Sequence, residues 1–269
     1  MVPEADISRL GQNYVTPECN TFTIGGKIHY WTKSLPKILE TSLKERLAIL
    51  DMDIMQSVDL VIGGYHGQGK FRCVMKIILR DETGKNIDSY CIKIGHIDCD
   101  KDTYDVLKNS ITGPLNEDIK LITAKQQIQI LNDKSTNKKK IVLGTVEEND
   151  LEMYTIQKSL NIRILMCGDL AFFSAILGKV NMAGKWCIWC QLGPKEWRES
   201  NHNPGEKWTI AQMKQLRLQI ESGGIVDNPA NRKGVVEEPL IDAIPIDNII
   251  FSLLHAEIGV GNKLLESFF

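Results

Sequence analysis

The sequence predicts an α/β fold built on a mixed sheet, on three observations. Three β-rich runs follow one another over residues 58–97 with turn-forming residues between them, the pattern of an antiparallel meander. After residue 140, apolar runs alternate with helical periods, as strands joined by helices do. The apolar run 161–169 ends on an acid directly before a helical stretch, where open α/β sheets place their ligand crevices. A chain of 269 residues has room for one large domain or two small ones. Its 43% hydrophobic and 25% charged content is ordinary for a globular protein with a sizeable core.

Each element has its own signature. Residues 1–34, with Pro3, Pro17 and Gly25-Gly26, read as an arm or a small hairpin. Leu35, Ile38, Leu39, Leu43, Leu47 and Leu50 recur at helical spacing, so residues 35–52 form an amphipathic helix. The run 58–62 is a strand that gives way to a glycine-rich turn over 63–69. Runs 71–79 and 90–97 are strands joined through the turn signal Asp81-Glu-Thr-Gly84. Residues 103–122 have a helical period that Gly113-Pro114 should break. Residues 135–140 read as a polar, basic loop, 141–146 as a strand and 151–159 as a helix. Residues 161–169 form a buried-type strand, followed by a helix over 170–179. Thr209 caps a helix over 210–221, which Gly223-Gly224 closes. A last helix starts near Asp247. The chain divides into an N-terminal arm and helix (1–55), an α/β core (56–180) and a C-terminal part (181–269).

Charge and cysteine content exclude several classes. The net charge of −2 gives no bulk support for a nucleic-acid binder, which leaves only local patches such as Lys138, Lys139 and Lys140. That run is either a solvated loop or a contact for DNA phosphates. Seven cysteines spread over this length do not make a disulfide framework, so an intracellular setting with reduced thiols is expected. The first residues lack the pattern of a signal peptide. The most apolar window, 162–180, is interrupted by Arg163, Asp169 and Lys179, which argues against a membrane span.

Asp169 is the sharpest single residue. It either caps the helix that starts at Leu170 or holds a hard divalent cation through its carboxylate. Cys187 and Cys190 have the spacing of half a zinc site, with Cys167, His202 and His255 as candidate further ligands. Their alternative is a pair of free thiols among Trp186 and Trp189. The glycines around His66 lack the Gly-Lys-Ser/Thr ending of a phosphate loop. His255 lies on an apolar stretch, where a partly buried histidine with a local partner is the plain reading.

In order, Ile164-Leu-Met-Cys-Gly-Asp-Leu-Ala-Phe-Phe173, Trp186-Cys-Ile-Trp-Cys190 and Ile241-Asp-Ala-Ile-Pro245 through Leu254-His-Ala-Glu-Ile-Gly259 resemble eukaryotic DDE transposase-like proteins. They are similar to the catalytic core of the RAG recombinase and Transib transposases, over roughly residues 58–266. The resemblance implies an RNase H-like mixed sheet, a zinc-knuckle insertion and a helical C-terminal part. It also implies DNA as partner, a nuclear setting and Mg or Mn ions held by three carboxylates for in-line attack on phosphate. Homo-oligomer formation is left open.

By that resemblance Asp169 is the second carboxylate, and Cys187 with Cys190 hold zinc. The first carboxylate belongs in Gly63-Gly-Tyr-His-Gly-Gln-Gly69, where the family pattern is Gly-Gly-Asp-His-Gly-x-Gly and this chain has Tyr65. A tyrosine cannot bridge two metal ions. Asp59 is a poor substitute, roughly 20 Å back along an extended strand at about 3.3 Å per residue. Glu257 does not match the third carboxylate, which the family places beyond position 269. The expectation is a core that does not cut DNA by itself. The alternatives are a zinc-containing module that binds DNA or protein, or a nuclease in which Asp59 or Asp98 replaces the lost carboxylate.

Overall fold

The computed structural model describes residues 19–24, 27–32, 34–47, 50–101, 103–179, 186–193, 195–199 and 205–251. Strands β1 (Cys19–Ile24) and β2 (Lys27–Thr32) pair as a hairpin ahead of helix α1 (Leu35–Leu47). The meander follows as β3 (Ser57–Gly67), β4 (Lys70–Arg80) and β5 (Asn86–Asp98). Helices α2 (Tyr104–Lys108) and α3 (Thr112–Lys125) lead to β6 (Gln127–Asp133), β7 (Lys139–Leu143) and the long β8 (Tyr154–Gly168). Helix α4 (Leu170–Ile176) leaves β8 directly. Then come α5 (Glu196–Glu199), α6 (Ile210–Glu221), α7 (Pro229–Arg232) and the short β9 (Ile249–Phe251).

The described strands form one mixed sheet in the order β1-β2-β5-β4-β3-β8-β6-β7, with β9 beside β8. The meander is antiparallel, while β8 joins β3 in parallel and β9 joins β8 in parallel. The sheet therefore draws strands from all three segments of the chain.

Alternation along β4 sets the two faces. Phe71, Cys73, Met75, Ile77 and Leu79 are fully buried, whereas Arg72, Val74, Lys76, Ile78 and Arg80 are only half-buried. The buried face joins Leu39 and Leu43 of α1, Leu115 and Ile119 of α3, and Phe172 and Phe173 of α4 in one core. Helix α1 is tied to α3 at its start, where the Leu35 amide donates to Asp118 Oδ2 at 2.8 Å.

Several local expectations change. The strand at 58 does not stop at the glycines but runs to Gly67, and the turn is Gln68-Gly69, both at positive φ. The helical stretch 103–122 does break, into α2 and α3, but at residues 109–111: Gly113 and Pro114 lie in the first turn of α3, where a missing proline N–H costs nothing. Residues 151–159 are not helical: a 3-10 turn over Glu148–Glu152 leads into β8. Strand β6 was not foreseen. Lys139 and Lys140 belong to β7 and not to a loop. The helix near Asp247 is only a 3-10 turn, and β9 follows it. Helix α6 stands as expected, with Thr209 and Gln212 completing a reciprocal capping box.

Candidate functional site

The register between β3 and β8 brings two distant positions together. Gly64 pairs with Gly168 at the carboxyl ends of these parallel strands. The residues that follow are Tyr65, still within β3, and Asp169, just past the end of β8, so the position of the expected first carboxylate and that of the second are neighbours.

Phe172 explains the glycines that precede them. A Cβ on Gly64 would lie 2.5 Å from Phe172 Cε2, and one on Gly168 would lie 2.4 Å from Phe172 Cδ1. The first turn of α4 thus rests directly on the backbone of both strands. The Asp169 side chain accepts the Phe172 amide at 2.7 Å, which makes it the N-cap of α4. Tyr65 is 45% exposed, and the Arg72 guanidinium lies 5.7 Å from its ring centroid. His66 points elsewhere, with Nε2 in a 2.8 Å hydrogen bond to the Cys99 carbonyl.

Divalent-cation chemistry does not fit these residues as they stand. Asp169 is the one carboxylate at the paired strand ends, and among the described residues no group of three His, Cys, Asp or Glu could hold a metal ion. Asp59 is no replacement. It is 2% exposed, with Oδ1 accepting Arg163 Nε at 2.9 Å and Oδ2 accepting Arg163 and Arg80. Burial raises its pKa, but the hydrogen bonds and charges of Arg163 and Arg80 outweigh burial and hold it below the usual carboxylate value. Asp98 accepts from His96 Nε2 at 2.9 Å on β5, two strands away from β3.

The cysteine pair lies on a compact turn. The Cys187 amide donates to the Leu192 carbonyl, and Cys190 bridges to Lys207. Burial, and then the neighbouring Cys190 thiol, hold the Cys187 pKa above its ordinary value, against the backbone amides of Cys190 and Trp189. A raised pKa disfavours the thiolate, the form that binds metal. Two thiols are half of what a tetrahedral zinc ion requires, and among the described residues no third ligand joins them. Cys167 lies beside β9 at the end of β8, and His202, His255 and Glu257 are outside the described residues.

Lys179 carried no signal in the sequence beyond its position in an apolar stretch. It is 5% exposed, donates to the Cys187 carbonyl and lies 5.2 Å from the Trp208 ring centroid. Burial pulls its pKa down to about 8 against the opposing effect of Cys187 and Cys190. Lys138, Lys139 and Lys140 are exposed, and the Lys140 ammonium sits 4.5 Å from the Tyr154 ring centroid. They lie around the start of β7, an edge strand three places from the strand that carries Tyr65.

No protein-family model matches the chain, and no curated protein matches it either. Among the described residues, no helix is long and apolar enough to cross a membrane.

Proposed function

We propose that this chain carries a transposon-derived, RNase H-like DDE core, similar to that of the RAG recombinase and Transib transposases, that does not cut DNA by itself. The observation that carries the reading is the parallel Gly64–Gly168 pairing, which sets Tyr65 and Asp169 side by side at two strand ends. A meander, a helical crossover, a parallel strand, a helix and a second parallel strand surround that pairing and accord with the reading.

In the proposed core Asp169 is the surviving metal ligand, and Tyr65 occupies the position of the carboxylate it would need. Two-metal phosphate chemistry requires carboxylates that bridge the ions, so no cleavage step is assigned to this chain. Cys187 and Cys190 are the proposed zinc half-site, on the two-residue spacing of the pair. DNA is the proposed partner and the nucleus the proposed setting. The second reading, a zinc-containing module that binds DNA or protein without catalysis, is compatible with the first.

Plasmid nicking in Mg²⁺ or Mn²⁺ tests the proposal. The wild-type chain is expected to leave supercoiled DNA intact. Metal-dependent nicking that Asp169→Ala abolishes would show a complete active site and overturn it.

A further inference from the structure

The half-buried face of the sheet carries a row of rings and cations across four strands. Tyr65 lies opposite Arg72, Arg72 opposite His96, and His96 opposite Tyr30. The row is in contact at both of its ends. Arg72 lies over the Tyr65 ring, and the His96 and Tyr30 rings stack with centroids 5.5 Å apart and planes 2° from parallel. The Lys93 ammonium lies 5.2 Å from the Tyr30 centroid and is exposed. Lys70 and Lys76 alternate with Arg72 on the same face of β4. Arg72, Lys93, Lys70 and Lys76 thus share this face of β4 and β5, where Asp98 pairs with Lys70, in a chain whose net charge is −2. Four strands at about 4.8 Å spacing make a platform roughly 14 Å across.

Cross-strand pairs of this kind also stabilise a sheet. Stabilisation alone requires neither an exposed Tyr65 ring nor an excess of positive charge on the same face. Aromatic faces that alternate with cations are what an unpaired nucleotide strand needs, because every base has a π-face and every linkage a charge.

We propose that this face docks single-stranded nucleic acid, with bases stacked on Tyr65 and on the Tyr30–His96 pair and phosphates held by Arg72, Lys93, Lys70 and Lys76. The proposal goes beyond the DDE-core reading, and its test uses Tyr30, Arg72 and Lys93, none of which that reading gives a role. DNA and RNA strands share the chemistry, so both are tested.

Fluorescence anisotropy with labelled oligothymidylate and oligouridylate reads the outcome. Both strands, or one of them, should bind more tightly than a duplex of equal length. Tyr30→Ala should weaken binding about ten-fold while Tyr30→Phe retains it. Lys93→Ala, at an exposed position that leaves the fold intact, should lower the slope of log K against log salt by about 0.7. The proposal is overturned if neither strand binds, or if a polyanion without bases competes as well as the oligonucleotide. It is equally overturned if Tyr30→Ala, Arg72→Ala and Lys93→Ala leave affinity and salt slope unchanged.

Discussion

At the scale of single residues, the site is defined by what fails to fit beside Phe172. Adding one methyl at Gly64 or Gly168 forces the ring away from both strands. Gly64→Ala and Gly168→Ala should each cost about 1–3 kcal/mol in urea unfolding, the usual penalty for overpacking a core. Asp59 gives a second residue-level expectation, this time in pH. Its folded pKa is depressed by Arg163 and Arg80. The stability it contributes is therefore complete above the unfolded value of about 3.9 and is lost as pH falls below it. Asp59→Asn should lower stability at pH 7 by about 2 kcal/mol, and its unfolding free energy should fall less steeply than the wild type's below pH 4. The sequence pointed to Asp169 and the cysteine pair by type and spacing, and to Tyr65 through the family resemblance. It concealed the Asp59 triad because its partners lie 21 and 104 residues away, and a pairing register is needed to join them.

At the scale of elements, legibility followed periodicity. Helix α1, helix α6 and the meander were readable because apolar residues recur at 3.6 or 2. Strand β8 was misread in its first half. There Tyr154–Lys158 is mostly exposed, so no buried face marks the period. The short β9 was hidden for a different reason, since three residues carry too little pattern. The segment before β9 is fastened to α3 by Asp242, whose amide donates to Asn116 Oδ1 and whose carboxylate accepts Asn116 and Lys214. Burial opposes ionisation there, but Lys214, Asn116 and Lys120 outweigh it and hold the Asp242 pKa down to about 2. Asp242→Ala should accelerate amide exchange in β9 with little change in the meander. Thr209→Ala removes one half of the α6 capping box and should cost about 1 kcal/mol, read as a lower Tm.

At the scale of the whole molecule, one mixed sheet does two things. It packs α1, α3 and α4 against one face, and it leaves a cationic, aromatic row on the other. Its parallel centre brings positions 65 and 169 together from opposite ends of a crossover of roughly a hundred residues. The order of strand-like and helical runs predicted the class of fold, but the pairing of those two strands became visible only with the register. In the proposed core, position 65 stands where a metal-binding carboxylate belongs. Calorimetric titration of Tyr65→Asp with Mn²⁺ tests this. Tyr65→Asp should bind Mn²⁺, the wild type should not, and adding Asp169→Ala should abolish the gain. A Tyr65→Asp chain that remains indifferent to Mn²⁺, or one whose binding survives the loss of Asp169, would contradict it.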